Sequence, residues 1–406
     1  MPLNARITKD VLIPAAGNPE DHEFYWAVNY AYTSSAGTGL IMSTVRRMSN
    51  GDDNWRQRNS TVQRRISQDN GASWSTHGPE LRSGSYESKE LRLPWMHFLD
   101  PSNDRLLSLY QTSRPRPGGE GGATALFYEV STDQGRSWTP PRQVIHPGAE
   151  FDELHWMPGV TDNRQYIGVD QAPFARLEDG TIVLGFTVHP FEPDYPAEQF
   201  YAGVIFLRGT WSDDPGEITW DAGDIVQVPP EVTPYGACEP DLLHLGGQRL
   251  LTTMRCQGEY EPAGVFTTRQ WALSEDGGRT WSAPRRLCYE DGSMVCVPAS
   301  LAAFERDPAT GRAYWFTNIL DRPVTDQLPR WPLAMAEFDC DRMCLIKDSV
   351  TVIQDLPDDA PANRGYTNFG HYVDRVTGEF VLTPAEMPKY NVKDFRADTV
   401  RYRIGI

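Results

Sequence analysis

Apolar residues in this chain gather in short runs, and the runs come in pairs separated by a few polar, turn-forming residues. Met96-His-Phe-Leu is answered by Leu106-Leu-Ser-Leu-Tyr, Phe174-Ala-Arg-Leu by Ile182-Val-Leu-Gly-Phe, and Asp241-Leu-Leu-His-Leu by Leu250-Leu-Thr-Thr-Met. Three more pairs follow the same plan: Ala299-Ser-Leu-Ala-Ala-Phe with Ala313-Tyr-Trp-Phe, Phe369-Gly-His-Tyr-Val with Glu379-Phe-Val-Leu, and Val28-Asn-Tyr-Ala-Tyr with Leu40-Ile-Met. Short runs bounded by turn residues, with no sustained helical period, predict an all-β chain built on six hairpins.

A second pattern falls between the hairpins. Ser67-Gln-Asp69-Asn-Gly71-Ala-Ser-Trp74, Ser131-Thr-Asp133-Gln-Gly135-Arg-Ser-Trp138 and Ser274-Glu-Asp276-Gly-Gly278-Arg-Thr-Trp281 all fit S-x-D-x-G-x-(S/T)-W, and Ser212-Asp-Asp214-Pro-Gly216-Glu-Ile-Thr-Trp220 is a degraded copy with one inserted residue. Each element suits a tight turn: Asp and Ser bond turn amides, Gly takes a positive φ, and Trp folds back as an apolar plug. The full copies begin 64 and 143 residues apart, and the degraded one divides the larger gap, so the repeating unit spans about 60 to 80 residues. Six four-stranded units closing radially make a six-bladed β-propeller. Closure requires a strand from one terminus to complete a blade begun by the other; Val11-Leu-Ile and the alternation Val400, Tyr402, Ile404, Ile406 can supply it. No linker interrupts the pattern, so residues 1–406 read as one domain.

The composition, 39% hydrophobic and 23% charged over 406 residues, supports a large core, and the net charge of -17 argues against a nucleic-acid or anionic-membrane partner. An anionic ligand would need a local cluster of arginines. No apolar run spans a bilayer and the opening Met1-Pro-Leu-Asn-Ala-Arg lacks an export segment, which favours a soluble, cytoplasmic chain while leaving the compartment open. Cys238, Cys256, Cys288, Cys296, Cys340 and Cys344 form no C-x-x-C pair and read as mostly buried thiols, and no histidine spacing suits a metal, so neither metal nor cofactor is expected.

Hairpin geometry locates the candidate chemistry. In an antiparallel hairpin the residue before the first strand and the residue after the second emerge at the same edge, so one rim of the channel collects Trp26 and Arg46, Trp95 and Gln111, Asp170 and His189, Glu239 and Arg255, Asn318 with Arg330 beyond it, and Tyr366. Two guanidiniums at one rim suit bidentate capture of a carboxylate or sulfate. The turn repeats lie elsewhere, further out in the blades.

The turn sequence is the Asp-box, or BNR repeat, and three full copies in a six-unit pattern resemble the sialidase superfamily. Cys238-Glu239-Pro240-Asp241 followed by Met254-Arg255 is similar to the family segment with a glutamate that polarises the nucleophile and an arginine of a carboxylate-binding triad. Asn318 with Pro329-Arg330-Trp331 resembles the third-arginine segment, and Arg364-Gly365-Tyr366-Thr367 the segment of the tyrosine nucleophile. Arg46-Arg47, then Asp52 and Asp53, resembles the region of the acid/base aspartate. The family's first arginine has no counterpart: Phe24-Tyr25-Trp26-Ala27 stands there, with Arg46 or Arg47 as possible substitutes and Tyr25, Trp26, Trp55 and Trp95 available to stack on a sugar. The resemblance implies an exo-acting glycoside hydrolase on an acidic glycan, with ordinary sialosides poor substrates. Two alternatives stand beside it. A polysaccharide lyase would draw a His/Tyr pair from His371, five residues past Tyr366, with His97, His155 and His189, and act on a uronate whose carboxylate Arg255 and Arg330 neutralise; a non-catalytic propeller would bind a glycan.

Overall fold

The computed structural model describes residues 3–14, 23–48, 59–83, 93–115, 122–158, 173–188, 201–259, 264–357, 364–388 and 397–406. Within them the paired apolar runs are antiparallel strands arranged in six sheets, the blades of a β-propeller. The first blade is Glu23–Tyr32, Leu40–Met48, Asn59–Ser67 and Ser75–Ser83, from the inside outwards; the second is Leu93–Asp100, Arg105–Pro115, Gly122–Ser131 and Arg142–Gln143. Phe174–Arg176, Ile182–Val188, Gly203–Trp211 and Ile218–Ala222 form the third, and Leu243–Gly246, Arg249–Cys256, Thr268–Ser274 and Arg285–Arg286 the fourth. The fifth is Ala303–Arg306, Ala313–Asn318, Leu333–Asp339 and Cys344–Leu345, with Thr351–Gln354 also paired to its third strand. In the sixth, Arg364–Val373, Phe380–Pro388 and Thr399–Gly405 are completed by Arg6–Ile13 from the other end of the chain. Both terminal segments named from sequence therefore meet in one blade, with Val11 opposite Val400.

Blades pack face to face because both faces of their inner strands are apolar. One cluster joins Ala303, Phe316 and Met335 of the fifth blade to Phe369, Leu382 and Tyr402 of the sixth. Another joins Val204 and Phe206 of the third to Leu250 and Met254 of the fourth. Burying a side chain as fully as Phe206 or Phe316 contributes about 1.5 to 3 kcal/mol. Among the described residues the helical element is a single 3-10 turn, Lys347–Ser349, and no helix is long and apolar enough to cross a membrane.

The repeated turns join third to fourth strands and have one geometry. In the first, Ser67 Oγ donates to Asp69 Oδ1 (2.8 Å) and accepts from the Gly71 amide (2.8 Å), while Asp69 accepts from the Ser73 amide and hydroxyl (2.8 and 2.6 Å). In the second, Ser131, Asp133, Gly135 and Ser137 repeat those contacts at 2.8, 2.9, 2.8 and 2.6 Å. Gly71 and Gly135 have φ of +78° and +84°, where a side chain would be strained. These turns bond to the turns between first and second strands: Asn70 Nδ2 donates to Asp374 Oδ1 (2.8 Å) and the Gly277 amide to the Gln248 carbonyl (2.8 Å). Both sets share one end of the propeller, leaving the other end for the starts of inner strands.

The six cysteines form no disulfide; Cys256 and Cys344 are buried and the other four half-buried. The expectation of mostly buried thiols is thus corrected, because Cys238, Cys288, Cys296 and Cys340 lie in links between strands.

Candidate active site at the channel mouth

The fourth blade supplies a carboxylate and a guanidinium side by side. Cys238 and Arg255 exchange backbone hydrogen bonds (3.0 and 2.9 Å) just beyond the regular ladder, which brings Glu239 against the end of the second strand. Arg255 Nη1 then donates to Glu239 Oε2 at 2.6 Å, with the side chains 15% and 21% exposed. Glu239 has φ of +46°, a left-handed conformation costing on the order of 1 kcal/mol or more for a residue with a Cβ. Its amide is held by Thr187 Oγ1 (2.8 Å), at the end of the second strand of the neighbouring blade.

Arg269 lies one strand further out, opposite Arg255, and is 1% exposed. Its guanidinium donates to the Glu239 carbonyl (3.5 Å) and, across to the fifth blade, to the Ser300 carbonyl. Burial lowers its pKa, with the carboxylates of Asp241 and Glu239 opposing that shift. Asp241 is buried beside it and accepts from the Thr253 amide (2.8 Å), Thr253 Oγ1 (2.9 Å) and Trp315 Nε1 (2.8 Å). Burial raises its pKa, while Arg269 and these donors favour the ionised form.

The fifth blade passes this chain of contacts to the sixth. Arg330 Nη2 donates to the Ala299 carbonyl (2.9 Å) and Gln327 Oε1 (3.3 Å), Nε to the Gln327 carbonyl (3.3 Å), and Nη1 to Thr367 Oγ1 and Asn368 Oδ1 (both 3.4 Å). Those contacts engage all five N–H groups of a side chain in a residue only 8% exposed, so Arg330 serves as a brace between blades. Its carbonyl accepts from the Tyr366 amide (2.9 Å), and the approach is so close that a Cβ on Gly365 would lie 2.8 Å from Arg330 Cβ. Asn318 Nδ2 caps the same strand on the Tyr366 carbonyl (3.1 Å). Tyr366 is 3% exposed, packed with Phe316, Phe369 and Tyr402.

Hydrogen bonds thus link Thr187, Glu239, Arg269 and Ser300, and from the adjoining Ala299 carbonyl a second run passes through Arg330 to the Tyr366 amide. Sequence reasoning missed Arg269, Thr187 and the role of Gly365. The charge of Arg269 within the strand Thr268–Ser274 was the available signal for the first.

Other candidates fall differently. Arg46 is half-buried and lies opposite Tyr25, while Trp26 lies opposite Val45; both are inside strands, because the first blade continues outwards to Glu23 and Met48. Trp95 falls at a register shift between Pro94 and Met96, and Gln111 lies opposite Leu93. The side chains of Trp26, Arg47 and Trp95 lie outside the described residues, as do Asp52, Asp53, Trp55, Asp170 and His189 altogether. His371 is bonded through Nδ1 to Glu305 Oε1 (2.6 Å), not to Tyr366. A bulge at Asn368, where φ is +53°, separates the two: Tyr366 pairs with Glu386 and His371 with Leu382, further along the same partner strand. Among the described residues no group of three His, Cys, Asp or Glu side chains is arranged to hold a metal.

Residues 62–336 match the family model described as a BNR repeat-like domain. Among solved structures, the fold is similar to a mutant NanB sialidase from Streptococcus pneumoniae, with 11% identity, 97% of this chain and 70% of that chain covered, and a TM-score of 0.61. It is also similar to an intramolecular trans-sialidase from Ruminococcus gnavus (11% identity, 97% and 96% covered, TM-score 0.56). A third likeness is to an α-L-arabinanase from Penicillium chrysogenum (11% identity, 98% and 97% covered, TM-score 0.51). No curated protein sequence matches.

Proposed function

The chain belongs to the BNR repeat-like domain family, and from that premise we infer that its rim is the active site of an exo-acting glycoside hydrolase of sialidase type, acting on an acidic or polar glycan. The observation that carries this reading is the Glu239 to Arg255 ion pair at the channel mouth, held by a residue in a strained backbone conformation. Strain of this kind persists where the surroundings over-determine it, and such places concentrate at working sites.

In this reading the Tyr366 phenol attacks the anomeric carbon and its proton passes to Glu239, while Asp52 or Asp53 protonates the departing oxygen. Water then cleaves the glycosyl-tyrosine bond, returning a proton to the aspartate and the phenol proton to Tyr366. A neutral phenol avoids the repulsion that a carboxylate nucleophile meets from an anionic sugar. Arg255 fixes the direction of the Glu239 carboxylate, and Arg330 and Asn318 position the Tyr366 backbone. With Arg330 spent on protein acceptors, recognition of a sugar carboxylate falls to Arg255 and to Arg46 or Arg47. The lyase reading has less support, because His371 is bonded to Glu305 and not to Tyr366.

The test is a kinetic comparison of an aryl sialoside with aryl glucuronide, arabinoside and neutral glycosides, run on the wild type, Tyr366→Phe and Glu239→Gln. Hydrolysis of one class, with kcat lowered about a hundredfold or more in both variants, is the expected outcome. Wild-type turnover in both variants contradicts the mechanism, and saturable binding without turnover of any glycoside contradicts the enzyme reading.

A further inference from the structure

The link from the fourth blade to the fifth sets two cysteines side by side. Beyond the outer strand Arg285–Arg286 the chain runs on through Leu287 to Cys288, whose carbonyl accepts from the Leu345 amide (3.1 Å), while the Leu345 carbonyl accepts from the Glu290 amide (3.0 Å). Those two bonds make Tyr289 and Leu345 a parallel pair and tie the link to Cys344–Leu345, the outer strand of the fifth blade. In parallel pairing the residues one step back on each chain also stand opposite each other, so Cys288 faces Cys344.

The alternation of side chains places both sulfurs on the same face of this pair. Leu287, Tyr289 and Leu345 belong to the core between the fourth and fifth blades and Met343 packs against it, so the residues between them, Cys288 and Cys344, point the other way. Neighbouring strands lie about 4.8 Å apart, inside the range of roughly 4.4 to 6.8 Å between Cα atoms that a disulfide spans. Burial raises the Cys344 pKa and the nearby Cys288 adds to the rise, in keeping with that proximity.

The other four cysteines have no such register. Cys238 pairs with Arg255, which puts Cys256 on the opposite face of that ladder; Cys296 pairs with Leu320, and Cys340 lies 4.0 Å from Arg306 Nη2. Within the facing pair, Cys288 is half-buried and Cys344 only 7% exposed, so a reagent in solution meets Cys288 first.

We propose that Cys288 and Cys344 form an oxidisable pair, which a small disulfide of the class of oxidised glutathione converts into a covalent brace between the fourth and fifth blades. Cys288 loses its proton and its thiolate attacks one sulfur of the reagent; the first glutathione leaves as a thiolate and is protonated. Cys344 then loses its proton and attacks the Cys288 sulfur of the mixed disulfide, expelling the second glutathione, which is protonated in turn. Two protein thiols are oxidised to one disulfide and one glutathione disulfide is reduced to two thiols. The closed loop contains Asn318 and Arg330, so the bond restrains the fifth blade's share of the rim, and it forms whether or not the rim is catalytic.

The test uses the full chain, reduced and then incubated with excess oxidised glutathione. Remaining thiols are capped with N-ethylmaleimide in denaturant, and the protein is weighed intact and digested with trypsin plus a glutamate-specific protease, which cuts at Glu290 and separates Cys288 from Cys296. With two of the six thiols consumed, four capped cysteines and a linked peptide pair carrying Cys288 and Cys344 are expected. Dithiothreitol should restore all six. Cys344→Ser should instead retain one glutathionyl group on Cys288, and Cys296→Ser should form the bond as the wild type does. The bonded form should melt about 5 °C above the reduced one, since the cross-link restricts the unfolded chain. The wild-type map stands even if a serine variant fails to fold. Six capped thiols after oxidation, a bond mapped to any other cysteine pair, glutathione retained on wild-type Cys288, or a bonded form that melts no higher than the reduced one would each overturn the proposal.

Discussion

Glu239 shows how much one residue at the rim depends on its neighbours. Its left-handed backbone is held by the Cys238 to Arg255 bridge, the Thr187 hydroxyl and the Arg269 guanidinium, three elements that meet only in the folded chain. Glu239 and Arg255 were legible in the sequence, because a hairpin returns its ends to one edge. The brace at Arg330 was not, since its acceptors include Ala299 and Thr367, 31 and 37 residues away, and no local pattern marks them. Arg269 was missed for the same reason. Beneath Glu239, Asp241 carries three hydrogen bonds in the interior and faces the buried charge of Arg269. Asp241→Ala leaves the Thr253 and Trp315 donors unpaired and Arg269 without its counter-charge, so a loss of about 3 kcal/mol or more is expected in urea unfolding. Asp241→Asn should recover part of it. A loss under about 0.5 kcal/mol in the alanine variant would show that Asp241 does not organise this end of the blade.

At the scale of the element, the repeated turn is the feature read most completely from sequence. Each of its contacts lies within a few residues, so the pattern and the fold coincide. The pKa of Asp69 is pushed down to about 2, first by the Ser73 hydroxyl and then by the Ser73 amide and Ser67. Asp133 is likewise pushed down to about 2, the Ser137 hydroxyl leading. The folded values lie below the unfolded 3.8, so these contacts stabilise the fold fully above that pH and are lost as the pH falls towards 2. An acid titration followed by near-ultraviolet circular dichroism should show the tryptophans packed through pH 3.8 and loosening only towards pH 2, with Asp133→Asn removing one turn's share. A transition completed well above the ordinary carboxylate range would contradict this assignment. In the degraded copy the Gly216 amide donates to Asp214 Oδ1 (2.9 Å) where the full copies use the serine hydroxyl, and Ser212 Oγ turns to the Asp214 carbonyl (3.1 Å), so the altered sequence goes with altered contacts.

The whole molecule depends on closing the ring. Six blades were countable in the sequence because each inner hairpin is a local apolar pair. The pairing of Arg6–Ile13 with Thr399–Gly405 could be anticipated only from the need to protect an edge. That first strand is largely exposed and holds its place through the ladder, aided by Arg401, which bonds both Asp10 oxygens at 2.9 and 2.5 Å. Ion pairs this open to solvent contribute little, so the ladder and the covered edge dominate. Removing residues 1–13 should lower stability by about 3 kcal/mol or more and expose Thr399–Gly405 as a free edge, seen as concentration-dependent association in gel filtration. A monomer of unchanged melting temperature would show that the sixth blade does not need its outer strand.

Closure also sets the distance across the channel between the fourth and sixth blades, and with it the central claim that Tyr366 is a nucleophile served by Glu239. The most direct measurement is intact-mass analysis and peptide mapping after incubation with a fluorinated glycosyl fluoride of the sugar class the kinetic panel identifies. The account predicts one glycosyl adduct per chain on Tyr366, accumulating slowly in Glu239→Gln and absent from Tyr366→Phe. An adduct on another residue, or turnover of that sugar by Tyr366→Phe at the wild-type rate, would contradict it.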